Sequence, residues 1–234
     1  PTTQTPTQTP TQTTARLKYP PDELPTNPVI KYNSVEFGKD EAVKCIKYGI
    51  SRVPSNTNNT NADIGWGNSA IVVMNILDHP NVIFKFLVAS SKTSKHFKDL
   101  SSQHQNQTQV PVERDALLNT LKATTSPERP SFVVKTLAWT EVPSSDDITC
   151  FYIIQEKLTA LQDVQHYTQS VKLKAVNDLI QNLNKHYKEG AIRVLGKTFK
   201  ELKLDAVLAR PAADNFELVV ADLDYCLDDG EEFT

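Results

Sequence analysis

Residues 64–87 read IGWGNSAIVVMNILDHPNVIFKFL. A turn of the form Gly65-x-Gly67-x-x-Ala70 opens into an apolar run over 69–77. After a short break a second run, 82–89, carries one lysine, Lys85, in its middle. Apolar runs of this length, rich in β-branched and aromatic residues and bounded by turn residues, predict strands. A connection this short predicts that they are antiparallel. A charged amine inside such a strand has two explanations. Either Lys85 lies on the solvent side of an edge strand with its stem along apolar surface, or it faces an anion.

Working outward, the tract PTTQTPTQTPTQTT at 1–14 has no apolar residue. It cannot bury enough surface to offset its ordering entropy and is expected to be a disordered tail. The proline-rich stretch 15–33 is expected to be an extended linker. GKDEAVKCIKYGISRV places Val43, Ile46 and Ile50 at helical spacing, and 54–63 reads as a loop. Downstream, a polar aperiodic tract from Ser90 to Gln109 reads as an inserted loop. PVERDALLNTLKA then predicts a helix with Pro111 in its first turn, Glu113 following, and Leu117, Leu118 and Leu121 on one face. Two apolar runs, 131–142 and 148–158, are separated by the hairpin-grade PSSDD. A second helix is expected over 170–187, with Val176, Leu179, Ile180 and Leu183 at i, i+3, i+4 and i+7. LDAVLA and FELVVADLDY form a short hairpin turning at RPAADN.

The order is strand, strand, helix, strand, strand, helix, then a small strand pair. Strands adjacent in sequence with hairpin connections argue against a parallel βαβ architecture. They predict an α+β fold: a mostly antiparallel sheet with one packed helix, followed by a helical region.

With 234 residues the chain can bury a real core. Its net charge of −3 leaves no basic face dense enough to indicate nucleic acid. No apolar run is long enough to cross a bilayer. Cys45, Cys150 and Cys226 are scattered, with neither disulfide nor metal-ligand spacing, which points to a reducing, cytoplasmic compartment. The histidines, His79, His96, His104, His166 and His186, are isolated in sequence, and Ser69 is not in a GxSxG elbow. Metal-hydrolase and serine-triad chemistry therefore lack support. The chain starts at Pro1 without methionine, which suggests a processed product or a fragment.

Taken together, the motifs and their order resemble a protein kinase domain. GWGNSAIV is similar to the glycine-rich pattern GxGxxGxV, supplied by Gly65, Gly67, Ala70 in place of the third glycine, and Val72. VIFK is similar to the VAIK strand, with Lys85 as the phosphate-binding lysine. The resemblance implies that Glu113 pairs with Lys85, with Asp115 a less suitable rival; taken alone, Glu113 reads as a glutamate facing a helix dipole. It also implies that Glu156 and Leu158 flank a hinge where backbone groups meet adenine. In the second half, FKELKLDAVLA lines up with HRDLKPDNVLL. Glu201 then stands for the proton-accepting aspartate and Ala206 for the metal-binding asparagine. An alignment without the preceding insertion puts Gly196 at the catalytic position instead. VVADLDY lines up with the Asp-Phe-Gly region, so Asp222, with Asp224, would hold Mg²⁺.

The resemblance covers roughly 60–228. It implies a tail and linker at 1–33, a kinase N-lobe over 34–158 (antiparallel sheet plus one helix), and an incomplete helical C-lobe over 159–234. It further implies ATP and Mg²⁺ as cofactors, a nucleotide and a protein substrate or partner as ligands, and phosphoryl transfer that is weak or lost. A positioned general base contributes about 10²–10⁴-fold. Glu201 lengthens that carboxylate by one methylene, and Ala206 cannot bind metal. Two alternatives remain: a non-catalytic pseudokinase scaffold, and an unrelated α+β interaction module. Trp66 would cover a nucleotide or seal an apolar edge.

Overall fold

The computed structural model describes residues 21–54, 61–67, 69–91, 110–145, 147–200, 203–223 and 226–230. The expected tail at 1–14, Glu201 and Asp224 lie outside them.

Around the opening stretch, β2 (Ile64–Trp66), β3 (Ala70–Val73) and β4 (Val82–Ser90) form an antiparallel meander. β4 next pairs along its whole length with β7 (Ile148–Glu156), which pairs with β6 (Thr136–Ser145) and through it with the short β1 (Lys31–Tyr32). A two-residue β5 (Val112–Glu113) adds a parallel pair to the far end of β4. The resulting seven-stranded sheet runs β1-β6-β7-β4-β3-β2, so β4 is an interior strand.

Pleating sends alternate side chains of a strand to opposite faces. On β4, Val82, Phe84, Phe86 and Val88 join one buried cluster, and Leu87 and Ala89 join another. Helix α1 (Lys39–Arg52) covers the first face with Ala42, Cys45 and Ile46. It lies so close that a Cβ on Gly49 would fall 2.2 Å from the Phe84 ring, so only glycine permits this packing. Helix α2 (Arg114–Thr125) covers the second face with Leu117, Leu118 and Leu121. Both faces of the central strands are thus buried, which is why β4 and β7 read as continuous apolar runs rather than alternating ones.

Two expectations about the first half change. The segment from Pro21 to Asn33 is extended, but it is fastened to the sheet rather than acting as a linker. The Tyr152 hydroxyl donates to the Asp22 carbonyl at 2.6 Å, Ile30 is buried, and the Asn33 N–H donates to Leu137 O at 2.8 Å. Helix α2 also begins later than Pro111. Glu113 is its N-cap, with its carboxylate accepting from the N–H groups of Asp115 and Ala116 at 3.0 and 2.5 Å.

The second half contains α3 (Gln169–His186) as expected, capped by Thr168, but no helical lobe among the described residues. A four-stranded sheet, β13-β10-β9-β8, is built from β8 (Tyr187–Lys188), β9 (Ala191–Val194), β10 (Lys197–Lys200) and β13 (Cys226–Asp228). The segment expected to be an insertion supplies most of it. Glu189 and Gly190 have φ 41° and 86°, and Leu195 and Gly196 have φ 51° and 70°. Two successive residues at positive φ make the turn whose twist suits a two-residue hairpin. The sheet therefore forms where a helical region was expected. The predicted terminal hairpin is present as β11 (Val207–Pro211) and β12 (Phe216–Val220), antiparallel. On α3 the buried positions are Ala175 and Leu179, with Leu183 partly covered, while Val176 and Ile180 are exposed.

Candidate functional site

Lys85 projects from β4 on the α2 side of the sheet. Val72 on β3 and Ile153 on β7 are its register neighbours. An edge-strand position is therefore excluded. Burial pulls the pKa of the Lys85 ammonium below the usual lysine range, and the Asp222 carboxylate opposes that pull. Asp222 itself is exposed.

Asp222 reaches this position through the β11–β12 hairpin. The register sets Val207 opposite Val220, and immediately beyond it the Ala221 N–H donates to the Ala206 carbonyl at 2.7 Å. Ala206, buried at the end of a 3-10 turn over Leu204–Ala206, thus lies beside the strand that leads to Asp222. The segments aligned with a catalytic loop and a metal loop are neighbours, although Ala206 offers no side-chain ligand. The hairpin is tied to the seven-stranded sheet. Val134 N–H donates to Val220 O at 3.0 Å, Val220 N–H to Phe132 O at 2.7 Å, and Thr159 and Ala209 exchange two bonds at 2.8 Å.

Of the glycine pair, Gly65 lies within β2 and Gly67 at the start of the β2–β3 connection. Gly65 lies opposite Val72, and the Gly67 N–H donates to the Ala70 carbonyl at 2.9 Å, closing a tight turn. Ala70 packs against the α2-side cluster, and Trp66 is exposed at the end of its strand.

Glu113 does not join Lys85. It lies opposite Ser90, five residues along β4. At about 3.3 Å per residue the separation is roughly 16 Å, and the carboxylate is occupied by the first turn of α2. The expected Lys85–Glu113 ion pair is therefore absent among the described residues. Asp115, the rival, is largely exposed beside Arg114.

At the expected hinge the two residues separate in role. The Glu156 carboxylate accepts two charge-assisted bonds from Arg210 at 2.6 and 2.7 Å and one from the Lys135 N–H at 2.8 Å. This half-buried clamp fixes β7 to β11, so the Glu156 side chain is structural. Its own N–H donates to Lys135 O, and those of Lys157 and Thr159 donate to Asn81 O and Ala209 O. Between them, Leu158 uses neither its N–H nor its C=O in a backbone hydrogen bond among the described residues. Those two groups are what a nucleobase edge requires.

A magnesium ion arriving with a nucleotide fits one carboxylate plus phosphate oxygens and waters. Asp222 meets that requirement. Two measurable cavities lie elsewhere: an open one of about 510 Å³ at the start of α1, and one of about 250 Å³ between α3 and β12.

Missed altogether from sequence was a second group of chemistry-bearing side chains, Glu41, Cys45 and His79, which converge on one another, Glu41 and His79 also lining the larger cavity. Glu41 and Cys45 are an i, i+4 pair, but His79 comes from a loop 38 residues beyond Glu41 and has no local sequence signal.

Compared with known proteins, the chain matches no protein-family model, and no curated protein matches it significantly.

Proposed function

We propose that this chain is a protein-kinase-like domain that binds ATP with Mg²⁺ and whose phosphotransferase activity is weak or lost. One observation carries the proposal: the Lys85 ammonium stands on an interior strand between Val72 and Ile153, with the exposed Asp222 carboxylate acting on it. A lysine placed between apolar neighbours in this way loses hydration that only nearby negative charge offsets. Perturbed ionisable groups of this kind cluster at binding sites. A phosphate group would supply the missing negative charge. In this arrangement Lys85 meets the phosphates beneath the Gly67–Ala70 turn, Asp222 carries the metal, Val72 lies against the base, and the Leu158 backbone reads its edge.

Weak transfer follows from what is replaced. Ala206 removes one metal ligand. Glu201, if it serves as base, reaches differently from an aspartate, and a displacement of about 1 Å costs on the order of 10²-fold. Without Glu113 beside it, Lys85 also has no carboxylate from α2 to hold its rotamer.

A non-catalytic scaffold is the second reading, favoured by the commitment of Glu156 to Arg210 and of Glu113 to the α2 cap. Thermal unfolding with Mg²⁺–ATP separates the two. At a ligand concentration 100 times Kd, binding should add about 2.7 kcal/mol, and both Lys85→Ala and Asp222→Asn should abolish the shift while retaining the fold. An unchanged midpoint for the wild-type chain across millimolar Mg²⁺–ATP would leave only the scaffold or an unrelated interaction module.

A further inference from the structure

We propose that Glu41, Cys45 and His79 form a zinc-binding site on the α1 side of the sheet, with a fourth coordination position open to the adjoining cavity. One ligand atom from each residue lies within 4.8 Å of the other two. The four bonds of tetrahedral zinc are about 2.0–2.3 Å long, which puts ligand atoms roughly 3.3–3.7 Å apart. Small side-chain rotations therefore close the present triangle around an ion.

Each ligand is held by the fold. Glu41 and Cys45 share one face of α1, a turn apart. His79 sits in the loop joining β3 to β4, which is shaped by Asn75 and Asp78 at φ 54° and 62°. The His79 N–H donates to Ile76 O at 2.9 Å, its carbonyl accepts from Val82 N–H at 3.2 Å, and the edge of the ring meets Phe37 at 5.7 Å between centroids. The imidazole Nε2 and the Glu41 carboxylate are already in hydrogen-bond contact. The Cys45 thiol reaches the same point from the apolar side, 2% exposed, while Glu41 and His79 also line the 510 Å³ cavity. Water would therefore complete the coordination sphere from the open side.

The donor set chooses the metal. A thiolate and an imidazole disfavour Ca²⁺ and Mg²⁺, which take oxygen, and suit Zn²⁺. On binding, the Cys45 S–H bond gives way to an S–Zn bond, and the proton leaves to solvent. Three protein ligands with an open position is the pattern of zinc sites that bind or activate a small molecule, whereas structural sites are closed by four.

Equilibrium dialysis of the full chain against micromolar Zn²⁺, followed by elemental analysis, should find one tightly held ion per chain. With Co²⁺ in its place, a thiolate-to-cobalt charge-transfer band should appear. Cys45→Ser should remove the band, and His79→Gln should lower metal affinity by at least about tenfold. Cys45 is a core residue, so Glu41→Gln, at a partly exposed position, is the variant that keeps folding intact and should weaken binding likewise. Failure of the wild-type chain to retain zinc, or retention unchanged in Glu41→Gln and His79→Gln, would overturn the assignment and leave an ordinary ion pair beside a core thiol.

Discussion

The two halves of the molecule are stabilised differently. In the seven-stranded sheet, β4 and β7 run nine residues each and bury the rings of Phe84, Phe86, Phe151 and Tyr152 completely, between helices on both faces. Past Leu158 the described strands are two to five residues long, and among the described residues there Phe199 is the one ring buried to that degree. Burying an aromatic side chain contributes about 1.5–3 kcal/mol, so the stability is concentrated in the first half. The second half supplies reach: a hairpin that carries Asp222 back to Lys85.

The sharpest way to break this comparison is to make the same cavity on each side. Phe84→Ala should cost about 3–5 kcal/mol in urea unfolding, and Phe199→Ala about 2–3, because the thinner cluster around it can collapse. Equal losses would mean that the second half is packed as firmly as the first. Next in size is the clamp between them. Glu156→Ala leaves Arg210 with Glu217 at 2.8 Å and the Ser131 carbonyl at 2.7 Å and should cost about 2–3 kcal/mol. A loss under about 0.5 kcal/mol would mean that the backbone bonds at Val134, Val220 and Thr159 hold the hairpin unaided.

The same division explains what the sequence made legible. The strands of the first half announce themselves because both faces are buried, so nearly every residue of VIFKFLVA and CFYII is apolar. The β11–β12 hairpin showed because RPAADN separates two short apolar runs, although its strands are buried mainly on one face. The four-stranded sheet did not. Its strands mix Lys, Arg and Thr with apolar residues, and its turns carry Glu-Gly and Leu-Gly rather than Asn-Gly, so neither period nor turn chemistry was distinctive. At the site, motif order singled out Lys85 and Asp222, and the ammonium and carboxylate groups of the two interact electrostatically in the fold. Glu113 misled because a glutamate before an apolar helix has two uses, and capping won: the chain enters α2 directly from β5, which leaves Glu113 as the residue whose carboxylate meets the free N–H groups of the first turn. The cluster at His79 was invisible because it depends on a loop folding back onto α1.

The smallest expected effect tests Lys85 itself. Methionine in its place keeps the stem and removes the charge, so Lys85→Met should stabilise the chain by about 1 kcal/mol at neutral pH, in line with replacements of buried charges by apolar groups of similar volume. The pH dependence gives a second reading of the same energy. Because the folded-state pKa is lowered, the unfolded chain binds more protons between that value and 10.5, and wild-type stability rises with pH across the window. The advantage of Lys85→Met should therefore be largest near pH 7 and shrink toward pH 10, with contributions from other groups cancelling in the difference between the two proteins. A variant less stable than wild type at pH 7 would mean that the ammonium is held by a net favourable partner, making Lys85 a structural ion-pair residue and removing the main support for a phosphate site.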